Sequence, residues 1–229
     1  MTPTPAAVRP QPERPDTRDM KVVHDALRHA YALMPDLVRA VAPADTARAR
    51  VVADHIAFTE ALLHHHHAGE DRVLWPVLLP RLPATVAATV QSMEEDHATI
   101  HALQVAVAHE ATVWRSSADP EARNRLAALL EQLDSELLEH LAAEEQHVLP
   151  LIEDHLTVPE WKRLGEEGMA GVPKRRLPLV FGLLMYTAEP ARIGDMLAHV
   201  PPPLRVVLPR LAPWLRAQYH QRVHGTVTP

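Results

Sequence analysis

Two stretches of this chain repeat one spacing of histidine, glutamate and proline. His66 lies four residues before Glu70, His140 lies four residues before Glu144, and in each stretch a proline follows six residues after the glutamate. Residues four apart on an α-helix lie on the same face, one turn from each other. Imidazole and carboxylate groups are ligands of divalent transition metals. The spacing therefore predicts two helices that each present a His–Glu pair to a metal ion.

A second repeat precedes each of these stretches. His24 and His97 each lie four residues after a methionine. The interval from His24 to His66 is 42 residues, and the interval from His97 to His140 is 43. The chain thus contains two similar helical hairpins, each with a histidine on its first helix and a His–Glu pair on its second.

Apolar residues share the helix faces that carry these polar groups, for example Leu27 after His24 and Ile100 after His97. A lone histidine on an apolar face is more often a hydrogen-bonded core residue than a ligand. Here four helices and two matched pairs coincide, and burying so many polar groups is costly unless they are paired or bind metal. The pattern therefore favours a metal centre inside the protein.

His66, the histidine of the first His–Glu pair, belongs to a run of four histidines, His64 to His67. Successive residues are about 100° apart around a helix, so only one or two of the four can face the core. His64, His65 and His67 are expected at the surface, at the rim of the site or behind its ligands. No role is predicted for His55, His109, His147, His155, His199, His220 and His224.

Alanine- and leucine-rich sequence with 7 glycines indicates helices, and apolar residues recur at steps of three and four. Long helices are predicted near 18–42, 45–79, 84–115 and 119–155. Four long helices with short links predict an all-α fold, an antiparallel up-down four-helix bundle.

The bundle domain is predicted to cover residues 18–156. The proline-rich stretch 1–17 is expected to be a disordered tail. Residues 157–229 are expected to form a C-terminal extension of short helices broken by prolines. Its aromatic residues and prolines indicate that it packs on the bundle, although basic residues before the apolar stretch 177–188 would also suit a membrane surface or a partner.

Composition excludes several classes of protein. The net charge of −6 argues against nucleic acid as the main partner, and the absence of cysteine excludes disulfides and thiol catalysis. The longest apolar run, residues 177–188, is too short to span a bilayer. The N-terminus shows no apolar signal-peptide core, so a cytoplasmic protein is expected.

Taken together, these motifs resemble the hemerythrin-like family, also called HHE cation-binding domains, over roughly residues 20–155. The resemblance rests on His24, on the two His-x-x-x-Glu motifs followed by "VLWP" and "VLP", and on His97-x-x-x-His101. It implies a four-helix bundle with two non-haem iron ions and a bridging oxygen. The ligands that it implies are His24, His66, Glu70, His97, His101, His140 and Glu144.

The family pattern implies that Glu70 and Glu144 bridge the two irons. One iron then takes His97, His101 and His140, and the other takes His24 and His66. The position that matches His101 in the first hairpin is Arg28, whose guanidinium does not ligate. The iron held by His24 and His66 therefore keeps an open position. Manganese or zinc would suit these ligand types as well as iron.

The last carboxylate departs from the pattern of oxygen-carrying members, in which it lies five residues after the histidine. Both Glu144 and Glu145 are acidic here. The first hairpin repeats the four-residue step, which favours Glu144.

Family members bind dioxygen, sense oxygen or redox state, handle iron, or act on peroxide or nitric oxide. The expected function is binding of, or reaction with, such a small oxidant, in oxygen or redox sensing, storage or protection from oxidative stress. A carrier or sensor and a catalase-like, peroxidase or oxidase enzyme both remain open. The alternative is a ferritin-like di-iron oxidase or iron-handling protein that uses Glu94-x-x-His97 and Glu144-x-x-His147.

Overall fold

The structure, a computed structural model, describes residues 13–198 and 202–229, without the side chains of residues 195, 196 and 198. Four long helices form the bundle: α1 (Arg18–Arg39), α2 (Thr46–Gly69), α4 (Ala84–Ser117) and α5 (Pro120–His147). A π-helical turn (Glu70–Leu74), the short helix α3 (Trp75–Leu78) and a 3-10 turn (Leu79–Arg81) lead from α2 towards α4. Helix α1 packs on α2 and α5, and α4 packs on the same two helices. The predicted all-α bundle is confirmed.

Two of the bundle helices begin as the sequence indicates. The carboxylate of Asp45 accepts a hydrogen bond from the backbone N–H of Arg48, at 2.9 Å, and caps α2. Asp119 caps α5 in the same way at Ala122, at 2.8 Å. Pro120 takes the first position of α5, where a backbone N–H would have no hydrogen-bond partner within the helix.

The core consists of two apolar clusters with a layer of polar side chains between them. One cluster includes Leu27, Leu63, Ile100 and Leu141, and the other includes Met20, Leu74, Met93 and Val148. On α1 and α4, His24 and His97 each fall between a residue of one cluster and a residue of the other. This polar layer comprises His24, His66, His67, Glu70, His97, His140 and Glu144. Apolar packing above and below it keeps these polar groups away from water.

Apart from the polar layer, a pair of polar residues lies within the core, about two turns along α1 from His24. The hydroxyl of Tyr31 donates to Oε1 of Glu60 at 2.9 Å, and both residues are buried. Burial raises the pKa of the Glu60 carboxyl from its ordinary value of 4.5 to about 7. Glu60 therefore holds a proton well above the pH at which an exposed glutamic acid releases it.

Replacing Glu60 by glutamine should stabilise the protein at high pH, by about 3 kcal/mol at 1.36 kcal/mol per pKa unit. Between 4.5 and about 7 the native state binds a proton that the unfolded chain has released, so the wild-type free energy of unfolding falls as the pH rises through this range. Glutamine does not titrate, so the advantage of the variant should fade towards pH 4.5. Urea unfolding of both proteins across this range measures the difference. A difference that does not change with pH would contradict the assignment.

After α5 the chain continues through α6 (Leu149–His155), α7 (Val158–Ala170), a 3-10 turn (Lys174–Arg176), α8 (Leu177–Thr187), α9 (Pro190–Ala198) and α10 (Pro202–His224). Helix α7 packs on α2 and on the π-helical turn, α8 packs on α1, and α10 packs on α2 and α8. The extension therefore lies against the bundle, as its aromatic residues predict, although Trp214 is exposed. No helix in the described ranges combines the length and hydrophobicity that a membrane span requires.

The expectation that prolines break the extension into short helices is wrong for α10, which runs for 23 residues through Pro209 and Pro213. Each proline removes one helical hydrogen bond. Packing of the buried Leu208 and Ala212 offsets this loss. The backbone of α10 approaches α8 so closely at Ala212 that Gly182 has no room for a side chain.

Most of the predicted N-terminal tail, residues 1–12, lies outside the described residues. The described part packs on α6. Thr17 is buried and its hydroxyl donates to Glu153 at 2.7 Å, and Arg14 pairs with Asp154 at 2.7 Å. These contacts join residues more than 130 positions apart, so no local pattern predicts them.

Candidate metal centre

The four bundle helices bring six of the seven predicted ligands together in the polar layer. Their ligand atoms form two groups, within each of which all atoms lie within 4.8 Å of one another. The mixed group contains His24, His66, Glu70 and Glu144, and the imidazole triad contains His67, His97 and His140.

Glu70 stands between the two groups. Its Oε1 lies 3.4 Å from Nε2 of His66 in the mixed group, and its Oε2 lies 3.5 Å from Nε2 of His97 in the triad. Glu144 lies 3.3 Å from Nε2 of His24. Each oxygen of Glu70 thus faces a different group, which is the arrangement that a bridging carboxylate needs.

The third imidazole of the triad is His67, in place of the expected His101. The His67 ring is buried, stacks on His97 with ring centroids 4.1 Å apart, and meets His140 edge-on at 5.0 Å. His101 is exposed and lies beside His64, with ring centroids 5.7 Å apart. The expectation that His67 lies at the surface is wrong, and His101 is not brought to either group. One helix, α2, supplies an imidazole to each group, because neighbouring His66 and His67 point to either side of its inward face.

The π-helical turn at Glu70–Leu74 shapes the end of α2. A π-helical turn adds one residue to a helical turn and is frequent at functional sites. Here it ends directly before Trp75 and Pro76, so the change in the helix lies just ahead of the proline. Helix α5 is interrupted at Val148, just before Pro150. In both hairpins the helix therefore departs from regular α-helical geometry between the His–Glu pair and the proline that follows it.

Carboxylates behind the polar layer orient two of the histidines. Nδ1 of His24 lies 2.9 Å from Oε1 of Glu145, which also pairs with Arg28 at 2.7 Å. Nδ1 of His97 lies 2.7 Å from Asp71, which accepts a second hydrogen bond from the Trp75 indole at 3.0 Å. An Nδ1–H that donates outwards leaves the Nε2 lone pair directed into the layer. Glu145 thus lies behind His24, whereas Glu144 lies within the layer.

Replacing Asp71 by alanine should weaken metal binding by about 10- to 100-fold, because His97 loses the partner that fixes its tautomer and orientation. Asp96 provides the matched control. Its Oδ2 is 3.7 Å from Nδ1 of His140, too far for a hydrogen bond, so Asp96→Ala should have a much smaller effect. Competition with a chromophoric chelator measures both affinities. Equal affinities for Asp71→Ala and wild type would contradict this orienting role.

Several side-chain atoms of the polar layer are buried without a hydrogen-bond partner. They are Nε2 of His24, His66 and His67 and both carboxylate oxygens of Glu70 and of Glu144. Each such atom costs roughly 1–3 kcal/mol when it is left unsatisfied, and more when the group is charged. Metal ions would satisfy these nitrogen and oxygen atoms together, so the residues present fit a metal centre.

The charge state of two buried histidines, His66 and His140, suits metal binding. Burial lowers the pKa of His66 to about 3 and that of His140 to about 4, so both rings are neutral at physiological pH. Burial and the neighbouring Glu144 raise the pKa of Glu70. Burial would raise the pKa of Glu144 as well, but the surrounding histidines, with His24 the strongest of them, together hold this pKa low. Neutral imidazoles and carboxylates are the forms that ligate metals.

The ligand set of the ferritin-like alternative is not assembled. Glu94 and His147, which that alternative requires beside His97 and Glu144, are both exposed. They lie on the outer faces of α4 and α5.

The chain matches the model of a known protein family. The model of the hemerythrin HHE cation-binding domain matches residues 16–152, which is more than half of the chain. The chain belongs to this hemerythrin family. The HHE domain binds metal cations, and the hemerythrin match spans all seven residues of the polar layer. Searches of curated proteins and of solved structures returned no match. Helices α7 to α10 lie outside the hemerythrin match.

Proposed function

We propose that this protein holds two non-haem iron ions and binds a small oxidant, such as dioxygen, peroxide or nitric oxide, at one of them. The observation that carries the proposal is Glu70, whose two oxygens face different groups of ligands at 3.4 and 3.5 Å. A pair of ferrous ions supplies electrons and a coordination position that an oxidant can take. Imidazoles with two carboxylates suit iron, and the hemerythrin family supports that choice.

The two ions would have unequal surroundings. The triad offers three imidazoles, whereas the mixed group offers only His24 and His66 beside the two carboxylates. In the family pattern Glu144 bridges the two ions as Glu70 does, so the ion in the triad would have five protein ligands, with His67 in the place expected for His101, and the other ion would have four. The open position belongs to the ion beside His24 and His66.

The surroundings of His66 favour binding or sensing over turnover. His66 forms part of the wall of a cavity, and the wall near it contains Ala26, Leu27 and Leu62. The acidic residues behind the layer, Asp71 and Glu145, are engaged with His97 and His24. An apolar approach with few proton donors slows protonation and release of a reduced oxidant, which a carrier or sensor requires.

Stopped-flow spectroscopy of the anaerobic ferrous protein tests this proposal. Mixing with dioxygen or nitric oxide should change the absorption spectrum in a single saturable phase, and removal of dioxygen should restore the first spectrum. Rapid, sustained consumption of hydrogen peroxide would instead indicate a peroxidase or catalase-like enzyme. No spectral response from protein that carries two irons would contradict an open position.

A further inference from the structure

A second candidate site lies between the bundle and the C-terminal extension. A cavity of about 510 Å³ is bounded by α1, α2, α7, α8 and α10. It follows α1 from Asp19 to Leu33, a rise of about 21 Å at 1.5 Å per residue. Most of its wall is aliphatic, and cavities of this size and character commonly hold small organic molecules. The cavity is therefore long and mostly apolar. Its charged lining residues lie around the start of α1 and are Asp16, Arg18, Asp19 and Arg192.

Helix α8 forms one wall of this cavity and is apolar on all sides. Its sequence, LPLVFGLLMYT, contains no charged residue. A helix of this kind is normally buried all round. Phe181, Leu183 and Leu184 line the cavity, yet they are only half-buried. An apolar occupant of the cavity would complete their burial.

One end of the cavity is polar and carries histidines for which the sequence predicted no role. His29 and His55 line it, and Nε2 of each is buried without a hydrogen-bond partner. His55 is only 6% exposed, and its Nδ1 is engaged with the hydroxyl of Tyr219 at 2.7 Å. His220 and His224 complete this histidine end, with ring centroids 5.5 Å apart. Two imidazole nitrogens at this end are thus left without a hydrogen-bond partner in the protein.

The charges around the histidine end are positive. Arg48 donates to the backbone carbonyls of Arg222, at 2.8 Å, and Val223. Arg216 donates to the carbonyl of Val227, at 2.9 Å, and lies over the Tyr186 ring. Across the described ranges, neither guanidinium forms an ion pair with a carboxylate. Neither guanidinium lines the cavity, but both lie beside histidines of this end, Arg48 near His55 and Arg216 near His220. Their positive charge favours an anionic group over a cationic one.

We propose that this cavity binds an amphipathic carboxylate, such as a fatty acid. The carboxylate lies at the histidine end, against His29 and His55, and the alkyl chain follows α1 past His66. This inference goes beyond the proposed reaction with oxidants and does not depend on it. Where metal is present, the bound chain lies next to the open position and restricts access to it.

Isothermal titration calorimetry of the protein as purified, with decanoate and 1-decanol as probes, tests the proposal. Decanoate should bind at one site per chain, and 1-decanol should bind at least tenfold more weakly because it lacks the charge. Ala26→Phe places a ring in the path of the chain and should weaken decanoate binding at least tenfold. His29→Leu should remove most of the preference for decanoate. The matched control is Val105→Phe on the exposed face of α4, which should bind as wild type does.

Melting temperatures of the variants establish that they are folded. If Ala26→Phe is not folded, Leu184→Trp takes its place as the variant that blocks the cavity. Absence of saturable decanoate binding, equal affinity for the alcohol, or binding that a folded, blocked variant retains would each overturn the proposal. Metal content is measured on the same samples. If protein that holds no iron binds decanoate, the result supports the carboxylate site and counts only against the proposed function.

Discussion

Removal of bound metal should lower the melting temperature of this protein by roughly 10 °C. A ligand present at about a thousandfold above its dissociation constant stabilises the native state by about 4 kcal/mol, and each kcal/mol shifts the melting temperature of a chain of this size by about 2–4 °C. The physical reason is the set of buried, unpartnered nitrogen and oxygen atoms in the polar layer, which face one another when no ion is bound.

Differential scanning calorimetry of the metal-loaded, chelator-treated and reloaded protein measures this shift. Reloading should restore the higher melting temperature, which separates loss of metal from damage during chelation. His101→Ala should show the same shift as wild type, because His101 is exposed. Equal melting temperatures with and without metal would mean that the polar layer is stable as a metal-free network, and would contradict the metal centre.

His67→Ala should reduce the iron content from about two ions per chain to about one, whereas His101→Ala should leave it unchanged. His67 stacks on His97 within the imidazole triad, so its removal takes one of three imidazoles from that ion. The paired variants distinguish the structure from the ligand set that the sequence resemblance implied, since that set includes His101 and omits His67.

Metal analysis by plasma emission, with protein concentration from amino-acid analysis, measures both variants beside wild type. A matched melting temperature for the zinc-loaded forms provides the control for folding. If His101→Ala loses an ion and His67→Ala does not, the placement of these two residues is wrong, and the asymmetry of the two ions must be assigned differently.

Periodicity made most of the centre predictable from sequence. The His66–Glu70 and His140–Glu144 pairs and the matching positions of His24 and His97 depend only on which residues share a helix face. That geometry is local and repeats every 3.6 residues. The bundle follows from the same pattern, because each of its helices needs a partner for its apolar face.

The choice between His67 and His101 could not be made from periodicity. His67 directly follows His66 on α2, and His101 lies one turn after His97 on α4. Which of the two faces inward depends on how α2 and α4 are rotated in the bundle. Tertiary packing sets that rotation. Two adjacent histidines before an alanine, a glycine and a glutamate were the one signal in the sequence that pointed to His67.

The extension was harder still to predict. Prolines predict breaks, yet α10 continues through Pro209 and Pro213 because it packs closely on α8 at Gly182. The histidine end of the cavity joins His29 and His55 with His220 and His224, and nothing in the spacing of residues so far apart indicates that they meet. Long-range packing of this kind does not produce a periodic pattern in the sequence.

An anomalous-scattering map from crystals of the iron-loaded protein tests the central claim most directly. The account predicts two iron peaks within the polar layer, one beside His24 and His66 and the other beside His67, His97 and His140, with Glu70 between them. A single peak, or a peak beside His64 and His101 with none in the layer, would contradict it.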